Sequence, residues 1–134
     1  MSSFTSDLIV KSCSPTHWEL MQEFFFYYDK KDVDHGITVP EGFVTDFASV
    51  PRHLWSIYPP TGRYTKAAVL HDFLYSKESH LSLDRKQSDE IFLDGMKALG
   101  VKRSVRYPMY WGVRIGGRKS FKKGEGNINV NLMV

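Results

Sequence analysis

The chain has 134 residues and a net charge of +3, with 42% hydrophobic and 25% charged side chains, the proportions of one globular domain with enough buried surface for a core. They exclude wholesale disorder, and the absence of any apolar run near the roughly 20 residues of a membrane span excludes a transmembrane helix. Cys13 is the sole cysteine, so no intramolecular disulfide staples the fold and a reducing compartment is the default.

The opening Met1 to Asp7 is polar and lacks the basic-then-apolar layout of a secretory signal. Asp7 to Lys11 is a short apolar run, and Phe24 to Tyr28 is an aromatic run of the kind enriched in sheets. Asp29 to Asp32 reads as a turn. Gly36 to Pro40 alternates apolar and polar positions, Glu41-Gly42 breaks it, and Phe43 to Phe47 resumes. These segments predict a small antiparallel sheet or a pair of hairpins. Between Pro51 and Arg63 the prolines at 51, 59 and 60 and Gly62 forbid a long regular element, leaving at most a helical turn over 52–57.

Thr65 then offers a cap for a helix through Tyr75, ending in the polar stretch 76–80. Ser82 offers a second cap, for a helix that runs to Leu99 before Gly100 stops it. A further helix over 104–114 is weakened by Pro108 and Gly112. Beyond Gly116-Gly117 a loose tail is expected. The predicted architecture is α+β over a single domain, 1–134, with the small N-terminal sheet packed on the helical pair and 117–134 as a basic extended tail. Phe43, Phe47, Leu70, Leu74, Phe92 and Met96 are its expected core.

The charge is uneven. From Lys97 to Val134 nine basic residues face Glu125 alone, a net of +8, which leaves −5 for the first 96 residues. A basic C-terminal third can approach an anionic surface, lipid or nucleic acid, or can simply be a solvated face.

On the second helix Asp89, Phe92, Met96 and Leu99 share one face, with Arg85 one turn ahead of the acid. A carboxylate at the head of an apolar stripe needs a partner, because burying it alone costs several kcal/mol, roughly. Arg85 is one candidate. His71 is the other: Ala67 and Ala68 let a neighbouring helix come close, and Tyr75 follows His71 by one turn. If the two helices pack antiparallel, His71 meets Asp89, and the carboxylate fixes the imidazole as a base. The pair is equally readable as a buried structural hydrogen bond. Asp72 points about 100° away from His71, where it could take a cation. Upstream, Asp46 and Ser49 line a strand-to-turn transition. Ser49 is best read as a cap for the turn after Pro51, and Asp46 stays open.

The stretch from Gly42 to Pro51, the run Ala67 to Tyr75, and then Arg85, Ser88-Asp89 and Phe92 resemble a family of uncharacterised proteins common in tailed bacteriophages and prophages, over roughly residues 36–113. That resemblance implies phage origin and carries no activity. A narrower one, over about 67–99, is to the active-site helices of secretory phospholipases A(2). It implies His71 as the base, Asp89 as the carboxylate that orients it, Tyr75 as its support and Asp72 as a ligand for Ca2+. The cysteines and the Gly-rich calcium loop of that family have no counterpart here.

Two readings follow. The first is a virion protein of the tail, neck or baseplate, bound to other virion proteins or to copies of itself, residing in the virion or the host cytoplasm. It expects a closed, buried His71 and contacts through the N-terminal strands or the basic tail. The alternative is a phage-encoded hydrolase of ester or lipid substrates, which expects a depression at His71 shared by Asp72 and Tyr75.

Overall fold

The computed structural model describes residues 3–4, 7–15, 17–27, 36–46, 64–76, 79 and 83–116, and every structural statement below concerns these. Phe47, Ser49, Ser82, the turn over 29–32, the helical turn over 52–57 and the tail 117–134 lie outside them.

Six short strands and three helices make up the described fold: β1 (Ser3–Phe4), β2 (Val10–Ser14), β3 (His17–Leu20), β4 (Phe24–Tyr27), β5 (Ile37–Val39), β6 (Val44–Thr45), α1 (Thr65–Tyr75), α2 (Arg85–Ala98) and α3 (Arg103–Gly116). The class is α+β. The strands form two antiparallel sheets of three, in the orders β1-β4-β5 and β2-β3-β6.

The aromatic run makes the central strand of the first sheet. Phe24 pairs with Val39 and Phe26 with Ile37, and all four are buried while Phe25 between them is only half-buried, the two-residue alternation of a one-sided sheet. The second sheet begins later than the apolar run over 7–11 suggests: its first strand is Val10–Ser14, with a register shift between Ser12 and Ser14 that leaves the exposed Cys13 out of the pairing. The strands β1 and β3 have no counterpart in the expectations. Two residues of β1 carry no periodicity, and His17-Trp18-Glu19 mixes polar and apolar side chains. The edge strand β6 pairs Thr45 with Trp18 and so brings Thr45 against the helices.

Helix α1 begins at Thr65 itself. Tyr64 occupies the cap position without a side-chain hydrogen bond, which corrects Thr65 as the cap. Its first turn is held by packing instead, since Tyr64, Ala67 and Ala68 are all buried. Helix α2 opens on Asp84, whose carboxylate accepts from the Gln87 N–H at 2.7 Å while the Asp84 N–H donates back to Gln87 Oε1 at 2.9 Å, a reciprocal capping box. It ends where Gly100, at φ +77°, donates to the Lys97 carbonyl. Helix α3 runs straight through Pro108. The proline is exposed, on the side of the helix where a missing N–H costs least.

The helices α1 and α2 run antiparallel, since Ala67 meets Gly95 at one end of the seam and His71 meets Asp89 further along. A Cβ on Gly95 would stand 3.2 Å from Ala67 Cβ, so the small residues set the approach. One core joins Leu20, Phe24, Phe26, Ile37 and Val39 of the sheets to Leu70, Phe73, Leu74 and Ile91. A second joins Ala67, Ala68, Phe92 and Met96 to Met109 and Val113 of α3. Phe43, Leu70, Leu74, Phe92 and Met96 are buried as expected.

Candidate active site

The Asp89 carboxylate is fully buried and gathers three donors and one further cation from three helices. Its Oδ1 lies 2.6 Å from His71 Nε2 and also accepts the Tyr75 hydroxyl. Its Oδ2 accepts from Arg114 Nη1 at 2.9 Å, with Arg85 Nη1 at 3.7 Å. Both expected partners are therefore present, with His71 much the closer. Arg114 is the residue the sequence reading missed: it lies one helix beyond the recognised pair, in a segment where it is one basic residue among many. Arg85 has a second task, donating to the Val113 and Arg114 carbonyls at 3.2 and 3.1 Å, which caps the end of α3.

His71 is packed between Tyr75 and Phe92, ring centroids at 4.1 and 4.7 Å. Burial depresses its basicity, against the opposing pull of the bonded Asp89. Burial pushes Asp89 the other way, but the hydrogen bonds and charge around it outweigh that, led by His71, and keep the carboxyl below its ordinary range. The pair is thus a neutral imidazole against a carboxylate. Asp89 can only accept, so Nε2 carries the hydrogen and the lone pair sits on Nδ1. Tyr75 is held well above the ordinary phenol range by burial and by its bond to Asp89, so it remains a donor.

Asp72 faces away from this network, toward β6. Thr45 Oγ1 donates to its Oδ2 at 2.5 Å. Burial, opposed by the Thr45 bond and reinforced by the negative charge of Asp46, raises the Asp72 carboxyl to about 7. Asp46 touches it through both backbone and side chain, which gives that residue a place the sequence left open. Two carboxylates and a hydroxyl are hard oxygen donors of the kind Ca2+ or Mg2+ accepts, and a divalent cation would relieve their repulsion. Among the described residues no group of three His, Cys, Asp or Glu converges on one point.

The depression expected of an open site is not formed at His71, which is 2% exposed, nor at Tyr75, which is 4% exposed. Asp72 alone of the four is partly accessible.

The comparison with known families is decided by residues 18–113, which match the family described as "Protein of unknown function (DUF1353)". The chain belongs to the DUF1353 family. The DUF1353 segment takes in Thr45, all of α1 and α2, and α3 as far as Val113, hence every group of the His71–Asp89 network except Arg114. A relative of the chain is the "Uncharacterized protein y4jT" of Sinorhizobium fredii, 36% identical over 104 residues that make up 75% of this chain and 29% of the relative. The chain thus spans under a third of that relative's length. No solved structure matches.

Proposed function

We propose that this DUF1353 chain is a hydrolase of ester bonds, of lipid in particular, with His71 as general base. The observation that carries the reading is the joint placement of His71 Nε2 and the Tyr75 hydroxyl on one oxygen of Asp89, the arrangement that the phospholipase-like residues require. In this reading Nδ1 of His71 takes a proton from water, and the hydroxide attacks the ester carbonyl carbon. The C–O bond to the alcohol breaks, and the imidazolium returns its proton to the leaving alkoxide, so that acid, alcohol and neutral His71 result. Asp89 stabilises the imidazolium, and Tyr75 holds Asp89. Asp72, supported by Thr45 and Asp46, would hold a divalent cation, which when bound supplies positive charge for the developing oxyanion. Because His71 is closed, substrate must displace packing around the ring before water reaches it, as in sites that exclude bulk solvent until the substrate arrives.

That same closure favours a second reading, the phage virion component. There the His71–Asp89 tie serves only to lock α1 to α2, and the chain works through contacts with other virion proteins or copies of itself. One preparation distinguishes the two. Phospholipid and simple-ester cleavage is measured with calcium present for the wild type and for His71→Asn, which keeps a hydrogen bond but has no basic nitrogen. The hydrolase reading expects turnover that falls by about 10²–10⁴-fold in the variant. A silent wild type whose assembly or thermal stability changes in His71→Asn supports the virion reading. Turnover that survives the substitution rejects the dyad.

A further inference from the structure

Helix α3 is apolar on two opposite sides. Met109 and Val113 are buried against α1 and α2. At 100° per residue, Tyr107, Trp111 and Ile115 follow one another in 40° steps across an arc of about 80° on the far side, and there they are 39, 57 and 83% exposed. A surface helix ordinarily turns charge to that side. An aromatic–aliphatic stripe facing water marks a surface made to be covered.

The charge beside the stripe narrows what covers it. Lys102 and Arg103 stand exposed at the start of α3, Arg106 lies 5.3 Å from the Tyr107 ring, and in the sequence the helix is followed by Arg118, Lys119, Lys122 and Lys123 with Glu125 the sole acid. Such a surface repels a second copy of itself. A nucleic-acid backbone answers the cations but offers Ile115 nothing apolar to enter. A bilayer rich in anionic headgroups answers both: phosphates take the basic groups, tryptophan and tyrosine settle at the headgroup level, and the aliphatic tip enters the acyl boundary.

We infer that α3 is an interfacial anchor that lays Tyr107, Trp111 and Ile115 into an anionic lipid surface. The inference uses none of the His71 chemistry and survives if His71 proves to be no base. The test is therefore binding without turnover. The full chain is mixed with phosphatidylglycerol-rich and with pure phosphatidylcholine vesicles, and the bound fraction is read by flotation. Retention on the anionic vesicles only, weakened by salt, is expected. Trp111→Ser combined with Ile115→Ser should lower it about tenfold or more, given the apolar area withdrawn from the acyl boundary. Since both side chains are exposed, the melting temperature of the double variant should match the wild type, and the single Ile115→Ser should show an intermediate loss. Equal binding to both vesicle types, unchanged binding by the double variant, or a wild-type dimer that the double variant dissolves would each overturn the proposal. So would binding to duplex DNA in preference to the anionic vesicles.

Discussion

Arg114, near the end of α3, donates across 2.9 Å to the one oxygen of Asp89 that His71 and Tyr75 leave open. The contact spans 25 residues of sequence and makes the last helix part of the buried network rather than an appendage. The guanidinium is only partly buried while Asp89 is fully so, so the carboxylate has more to lose when the contact is removed. Arg114→Met should therefore destabilise the fold by about 1–3 kcal/mol. Arg114→Lys should recover part of that, because an ammonium supplies charge without the planar fork. Urea unfolding of the three proteins checks the ranking.

Asp89→Ala should cost more than Arg114→Met. It removes the acceptor shared by His71, Tyr75 and Arg114 and breaks the buried ion pair at its carboxylate, which places the loss at about 3–5 kcal/mol. A smaller loss than that of Arg114→Met, in the same urea experiment, would mean that the network contributes little to folding.

The titrating groups divide the pH axis. His71 is held neutral in the fold, so the unfolded chain alone takes up its proton as pH falls below 6.5. The stability this group supplies is complete above that value and declines beneath it. Asp89, held below 3.8, adds a second loss in stronger acid. Asp72 acts oppositely: its folded carboxyl is raised from 3.8 to about 7, so the fold loses stability as pH climbs through that window, by up to about 4 kcal/mol. Asp72→Asn should accordingly raise the melting temperature at about pH 8 and change it little at about pH 5. Calcium should stabilise the wild type at the higher pH and leave the variant unmoved. Thermal scans at both values, with and without the ion, give the four comparisons.

Gly95→Val should separate the seam. The added branches meet Ala67, whose Cβ already lies 3.2 Å from the Cβ position of residue 95, and Phe4, whose ring tip lies 3.4 Å from it. The cost should be about 1–3 kcal/mol, with part of it returned by Ala67→Gly in the double variant. Additive losses in a double-mutant cycle would show that the two positions do not set the approach.

The helical half of the molecule was legible because its signals are local and periodic. Ala67 and Ala68 announced a close neighbour, the stripe from Asp89 to Met96 fixed the buried face, and His71 and Tyr75 one turn apart fixed which side of α1 would meet it. The sheets were half legible: Phe24 and Phe26 alternate over a run long enough to read, and β6 falls within the expected segment 43–47, whereas β1 has two residues and exists only through its distant partner β4, and β3 mixes polar and apolar side chains. The caps went astray for a similar reason. Thr65 and Ser82 are good capping types, but Tyr64 is held by burial, and Asp84 wins because Gln87 answers it three residues later. At the site the two-helix core was readable from spacing. Arg114, Thr45 and Asp46 reach it from other elements, and no spacing rule connects residues 25 or 27 apart.

Those long separations also order the events of folding. Asp84 and Gln87 close their box within four residues, and α2 needs only the turn at Gly100 to bring α3 alongside. The link from Thr45 to Asp72 must instead bring together residues 27 apart in the chain, and contacts of that span form late because chain entropy opposes them until the rest is in place. A φ-value analysis should therefore find α2 structured in the transition state and Thr45→Val near zero. The carboxyl that would hold a cation is, in this order, among the last groups to reach its position, so refolding with calcium should slow unfolding while leaving the folding rate unchanged.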